Sequence, residues 1–285
     1  MPRADAWKLS DRELDLSEPR AAGIVNVTSD SMWEGARSGS PDQAVQDGLA
    51  LAEAGFDMLD VGAVAARSGP PVAPEHEAAA LLPALRGLAQ TGLPLSADTD
   101  SPAVARMALE EGAVAINDIG GGSPEMFGLI ASSGCGYVLM HVEGPPREER
   151  PAMEHEDVVA HLLEWFGERL GQAEAAGVDR AQVVIDPGLD FDLTTEQDLE
   201  ILRRLEELHE LGRPLYVSLS RKDFIGAVLA GSWEGRLPAA DREWGTAAAA
   251  TLAVAAGARV LRLHDFSSLQ AVRVAGRIAA AGSPA

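Results

Sequence analysis

Cysteine is all but missing from this 285-residue chain. Cys135 stands alone, so no intrachain disulfide can form. With Val138, Leu139 and Met140 close behind it, the thiol reads as part of a buried strand. Basic residues are scarce as well: 23 Lys and Arg face 44 Asp and Glu, leaving a formal charge of −21 and a pI near 4.6. Such a surface repels nucleic acid and anionic membranes, so neither is expected as a partner. The longest uncharged apolar run, 244–258, is Ala-rich, contains Gly257 and falls short of the roughly 20 residues that span a bilayer. The first fifteen residues mix charged and polar side chains with no apolar stretch, which excludes a secretory signal and predicts a cytoplasmic protein. Three motifs are absent too. No G-x-G-x-x-G follows the first apolar run, no Lys-Ser or Lys-Thr follows Gly120-Gly121-Gly122, and no H-E-x-x-H occurs among the six histidines.

What is present is a repeat of short Val, Ile and Leu-rich runs alternating with longer segments of helical spacing. The runs are 23–27, 58–61, 94–97, 115–117, 137–141, 183–186, 215–219 and 260–264. Between and after them, helical periodicity covers 42–54, 75–88, 102–110, 157–176, 196–211, 244–256 and 268–281. Roughly 265 residues over eight units gives about 33 per unit, the size of one βα repeat. A single TIM (β/α)8 barrel over 1–285 is therefore expected, with a hairpin within 1–20 closing its bottom. With 46% hydrophobic residues the chain can fill such a core.

In a barrel of this kind the functional groups sit at the C-terminal ends of the strands. Seven of the eight runs end in, or lead directly into, a polar residue: Asn26, Asp60, Asp98, Asn117 with Asp118, His141, Asp186, and Arg262 with His264. The other leads into Ser220-Arg221-Lys222. Any one of these suits a turn or helix cap, but together they ring the mouth. Asp98, Asn117 and Asp186 offer acceptors and an amide for a flat heterocycle bearing N–H groups. Lys222, Arg262 and His264 bring donors and positive charge for an anionic group. His141 is read as a core or mouth-lining residue, His76, His155, His161 and His209 as surface residues, and the three glycines as a flexible loop.

These stretches resemble the dihydropteroate synthase family. The likeness runs through Asn26-Val27-Thr28 with Asp30-Ser31, Asp60-Val61-Gly62, Asp98-Thr99, Asn117-Asp118, Met140-His141, Asp186-Pro187-Gly188 with Phe191, Ser220-Arg221-Lys222 and Arg262-Leu263-His264. The resemblance implies that 4-aminobenzoate displaces diphosphate from (7,8-dihydropterin-6-yl)methyl diphosphate to give dihydropteroate, for folate biosynthesis. It implies pterin contacts at Asp98, Asn117, Asp186 and Lys222, diphosphate contacts at Arg262 and His264, and a Mg²⁺ ligand at Asn26. It adds Arg67 of the second mouth loop, and Met140, Phe191 and Ser220 as further substrate-binding residues. Asp98, Lys222, Arg262 and His264 form its catalytic set, and a homodimer through the Ala-rich 244–258 helix and the last helix is implied.

The chain departs from the family pattern in the mouth loops. Ala63-Val64-Ala65-Ala66-Arg67-Ser68-Gly69 lacks two usual hydroxyls, and Leu189-Asp190-Phe191-Asp192-Leu193 carries acids in place of glycines and no lysine. The first loop has Ser29 in place of proline, then Met32-Trp33-Glu34-Gly35. Lineage drift explains this, and so does a pterin-binding paralogue without synthase activity or a sulfonamide-insensitive variant. A methyltetrahydrofolate-binding methyltransferase barrel shares the pterin floor, but has no need of the Arg262 and His264 stretch.

Overall fold

A computed structural model of the chain describes residues 5–27, 38–66, 69–148 and 150–281. Two short strands come first, β1 (Ala6–Lys8) and β2 (Glu13–Asp15), paired antiparallel with Trp7 opposite Leu14. Eight parallel strands follow: β3 (Arg20–Asn26), β4 (Met58–Gly62), β5 (Leu95–Asp98), β6 (Ala115–Asp118), β7 (Gly136–Met140), β8 (Val183–Asp186), β9 (Tyr216–Ser218) and β10 (Val260–Leu263). Their order around the sheet is β8-β7-β6-β5-β4-β3-β10-β9. A parallel bridge between Ile185 and Leu215 joins the two ends and closes the barrel. The strands read as unbroken apolar runs because both faces are covered, by the barrel interior and by the helices outside.

Those helices are α1 (Pro41–Ala54), α2 (Pro74–Leu88), α3 (Pro102–Glu110), α4 (Pro124–Ser133), α5 (Val158–Ala175), α6 (Thr195–Arg203), α7 (Asp223–Ala230), α8 (Glu243–Ala255) and α9 (Phe266–Ala281). Three of them start at a Ser-Pro pair. Ser40, Ser101 and Ser123 accept hydrogen bonds from the backbone N–H groups of Gln43, Val104 and Met126, while the proline fills the first helical position, where no N–H is needed. Gly55 and Gly134 end α1 and α4 in the left-handed conformation. The periodicity over 196–211 does not give one helix. Arg204 leaves the helical region at φ −113 and ψ 18, and Leu205–Leu211 continues as a 3-10 turn. The Arg204 guanidinium clasps Glu207 at 2.7 Å through two nitrogens and reaches Asp157 at 2.9 Å, fixing the break.

The barrel bottom is plugged by the hairpin. Trp7 and Leu16 are completely buried and pack with Leu9 against Met58, Val138 and Tyr216. The Trp7 indole donates to the carbonyl of Gln182 at 2.7 Å and meets the Tyr216 ring edge-on. Gly136 makes room for it, since a Cβ there would lie 2.6 Å from Leu9 Cδ2 and 3.0 Å from the indole. Cys135 belongs to the main core instead, fully buried, and burial pushes its thiol up to about 11, so it is an inert core residue. Trp7→Ala is expected to destabilise the fold by about 3–5 kcal/mol, lowering the urea midpoint with an unchanged denaturant slope.

Candidate active site

Strand register assembles the site. Asn26 pairs with Gly62, Gly62 with Asp98 and Asp98 with Asn117, so these positions form one row across the C-terminal ends of β3 to β6. Gly62 is small for a reason, because a Cβ there would lie 3.3 Å from Asp98 Cβ. Alternation along a strand sends neighbouring residues to opposite faces. Asn117 faces inward and donates from Nδ2 to Asp60 at 3.0 Å. Asp118 faces outward, where it accepts from Tyr137 Oη at 2.6 Å and from the N–H groups of Gly120 and Gly122. Burial raises the Asp118 carboxyl to about 6. The glycine loop thus spends these two N–H groups on its own aspartate, as a structural turn does.

From β10, the Arg262 guanidinium crosses the barrel axis. It donates to Asp60 at 2.5 Å through Nε and to Asp98 at 2.6 Å through Nη2. Asp60 is fully buried and has one oxygen without a partner. Burial pushes the Asp98 carboxyl up, to about 7, against the opposing pull of Arg262. Asp186 is also buried and shifted upward by desolvation, with Lys222 and Arg262 drawing it back. Its Oδ1 accepts from Gly188 N–H at 2.9 Å, and it pairs across the strands with Met140. Lys222 is buried, donates to the carbonyl of Leu189 and lies 4.9 Å above the Phe191 ring. Phe191 and Met140 share an apolar patch with Ile119, Val142 and Ala66, which gives the cup one greasy wall.

The polar lip is less positive than the residue types suggest. His264 Nδ1 lies 2.9 Å from Ser220 Oγ. Burial, with Arg262 and Arg221 nearby, depresses its imidazole to about 3, so it is a neutral hydrogen-bonding group. Arg221, between Ser220 and Lys222, turns away from the cup. It clamps Asp265 at 2.9 Å and the carbonyls of Ala239 and Ala240, which fixes the turn that aims its two neighbours.

The unusual loops have structural explanations. Asp190 and Asp192 stand where the family pattern has glycines, and both keep the left-handed backbone, at φ 66 and 62. Aspartate tolerates this conformation better than most side chains. Asp190 accepts from the N–H groups of Asp223 and Phe224, capping α7 directly after Lys222. Asp192 meets Arg150 at 3.3 Å. The second loop lacks its hydroxyls, and Arg147 ties it instead, donating to the carbonyls of Ala65 at 2.5 Å and Pro70 at 2.8 Å. Arg67 and the first-loop residues Thr28 to Gly35 lie outside the described residues.

The structure therefore brings Asp98, Asn117, Asp186, Lys222 and Arg262 into one cup, with Met140 and Phe191 on its wall and Asn26, Ser220 and His264 at strand ends around it. Asp60 was expected at the mouth as a strand-end residue but was given no role in the site. Its signal was its place two residues before Gly62, which puts it on the same inward face. His155 and His161 are not isolated surface residues, since both contact Glu143 beside the buried His141. A groove of about 580 Å³ lies between 192–196 and α7, but none of the cup residues lines it.

A parallel barrel with buried polar groups gathered at its strand ends is the architecture of the pterin-binding barrel enzymes. A family profile described as "Pterin binding enzyme" matches residues 22–264. The dihydropteroate synthase of Mycobacterium leprae is 39% identical over 269 residues, covering 92% of this chain and 94% of that protein. A Xanthomonas albilineans dihydropteroate synthase solved with 4-aminobenzoic acid superposes with a TM-score of 0.87 at 38% identity, covering 99% of this chain and 100% of the other. The same enzyme in complex with 7,8-dihydropteroate gives 0.82 at 36%, covering 99% and 100%. The chain belongs to the dihydropteroate synthase family.

Neutral His264 makes the stability pH-dependent. The unfolded chain binds a proton on this residue near pH 6.5 and the folded chain only near 3, so stability rises with pH between these values and is lost as pH falls. Between pH 7 and pH 5, wild type is expected to lose about 2 kcal/mol more unfolding free energy than His264→Gln, as measured by denaturant titration at each pH.

Proposed function

We infer that the chain condenses (7,8-dihydropterin-6-yl)methyl diphosphate with 4-aminobenzoate, releasing diphosphate and dihydropteroate in folate biosynthesis. The observation that carries this reading at the residue level is Arg262 held between Asp60 and Asp98, with Asn117 on Asp60 and Asp186 in the same field. A cup of buried acceptors built around one guanidinium suits a substrate with N–H groups at one end and anionic charge at the other.

Asp98, Asn117 and Asp186 take the ring N–H and amino groups, and Lys222 donates to the ring carbonyl. Binding then exchanges partners: ring N–H groups occupy Asp98 while the diphosphate claims Arg262. Ser220 and neutral His264 add hydrogen bonds to the same anion, and Met140, Phe191 and Arg67 complete the substrate surface. The C–O bond to diphosphate breaks as the aminobenzoate nitrogen bonds to the methylene carbon, and the amine gives up a proton. Arg262 stabilises the charge that grows on the leaving group, which accelerates the step because that interaction is strongest in the transition state. Ionised Asp98 stabilises positive character on the electron-poor methylene and ring. The amine needs little more than positioning.

Asn26 fits a Mg²⁺ ion bound together with substrate. Its amide oxygen is a hard donor at the cup's edge, and Mg²⁺ takes few protein ligands when phosphate oxygens and water supply the others. Bound there, the ion would neutralise charge on the diphosphate. Among the described residues no helix is long and apolar enough to cross a membrane, and we place the reaction in the cytoplasm. We assign a homodimer to the outer face of α8 and α9. Trp244 and Leu252 are two helical turns apart on α8, Phe266, Val274 and Ile278 follow one face of α9, and all five are more than half exposed.

Diphosphate release should require 4-aminobenzoate, and Lys222→Ala should lower turnover at least about 100-fold. Pterin binding without amine-dependent release would identify an inactive paralogue, and near-normal turnover of the variant would contradict the assignment of Lys222. Light scattering should give about twice the 29.8 kDa of the chain. Trp244→Glu combined with Ile278→Glu should give the monomer mass.

A further inference from the structure

Three histidines far apart in function from the cup share one carboxylate. His141 directly follows β7, Glu143 and His155 lie in the loop that leads to α5, and His161 lies in the first turn of α5. Glu143 Oε1 is 3.3 Å from His141 Nε2, 3.0 Å from His161 Nε2 and 2.6 Å from His155 Nε2. The Nε2 atoms of His141 and His161 face each other at 3.3 Å. His141 is completely buried, held edge-on by Trp165, while His161 is about a quarter exposed.

Hydrogen bonding alone does not satisfy this arrangement. A carboxylate oxygen has two lone pairs, yet three imidazole nitrogens converge on one oxygen. The His141 to His161 contact also needs one Nε2 to present a lone pair rather than a proton. The donor atoms of His141, His161 and Glu143 are 3.0–3.3 Å apart. Ligands spaced tetrahedrally around an ion with bonds of ~2.0–2.1 Å stand ~3.3 Å from one another. Imidazole nitrogen with carboxylate oxygen is the donor set of Zn²⁺ and its first-row neighbours, unlike the all-oxygen set of Mg²⁺.

We propose that His141 Nε2, Glu143 Oε1 and His161 Nε2 form a binding site for a divalent transition metal of the Zn²⁺ class. His155 orients the site by donating to the Glu143 carboxylate and stacking on His161 at 3.8 Å between ring centroids. Three protein ligands leave a fourth position for water. The site is distinct from Asn26, which ends β3, whereas these ligands follow β7. Its effect is to fasten the β7 to α5 loop onto α5. That loop also carries Arg147, which ties the second mouth loop, and His141 adjoins Met140 of the cup wall. Metal loading therefore stiffens one side of the substrate entrance.

The test uses the full chain without an affinity tag, stripped with EDTA and titrated with Zn²⁺ by calorimetry, and with Co²⁺ by visible absorption. One ion per chain is expected, with the intense visible bands of four-coordinate Co²⁺, and the melting temperature should rise with Zn²⁺. His161→Gln, at a partly exposed helical position, should weaken Zn²⁺ binding at least 100-fold and abolish the melting shift. Glu143→Gln should weaken it 10- to 100-fold, while His76→Gln and Asn26→Ala should bind Zn²⁺ as wild type does. Wild type that takes up no Zn²⁺ at micromolar free metal, or a His161→Gln variant that binds as tightly as wild type, would overturn the proposal.

Discussion

One guanidinium organises the interior of this barrel. Arg262 enters from β10 and meets Asp60 from β4 and Asp98 from β5, partners 202 and 164 residues earlier in the chain. Taking charged groups out of water is unfavourable unless they are paired and hydrogen-bonded, and here two carboxylates share one guanidinium. The closed ring of strands supplies that pairing, because β3, adjacent to both β10 and β4, is all that separates the arginine strand from the first carboxylate strand. Loss of Arg262 would leave two buried carboxylates without their shared cation, so the fold and the site share this constraint.

Around that fixed centre, the loops whose sequence departs from the family pattern are held by contacts of their own. Asp190 keeps the backbone conformation of a glycine and adds a helix cap, so α7 starts in register immediately after Lys222. Arg147 ties the second loop through bonds to two backbone carbonyls. Arg221 braces the turn that carries Ser220 and Lys222. In each case a charged side chain outside the cup fixes the backbone that carries or borders a cup residue. The cup depends on the placement of few atoms, and the loops need only to be tied down, by whatever donors are at hand.

The barrel was legible in the sequence because apolar runs buried on two faces leave a strong signal, and because strand ends in such a barrel are where polar groups matter. The eight runs lie within a few residues of the eight strands, and Val183–Asp186 coincides with β8. The segment 196–211 was less legible, since apolar spacing does not distinguish an α-helix from one that breaks into a 3-10 turn at Arg204. The candidate residues Asp98, Asn117, Asp186, Lys222 and Arg262 were readable from strand-end position and from resemblance to a family. Their hydrogen-bond partners were not, and Asp60 shows why: a buried aspartate and a turn-forming aspartate are the same letter.

Local chemistry along the chain determined the alternation of strands and helices, the Ser-Pro helix starts and the set of polar residues at the mouth, since each depends on neighbours within a few positions. Tertiary structure alone decided which of those residues touch. Arg262 reaches Asp60 and Asp98 only once β10 and β4 flank β3. His264 loses its charge because folding removes water from around it and brings Arg262 and Arg221 close. His141 and His161 meet at Glu143 only because α5 folds back over β7, twenty residues of separation becoming 3.3 Å. Proximity across a closed barrel depends on the register of strands distant in sequence, and no local pattern encodes it.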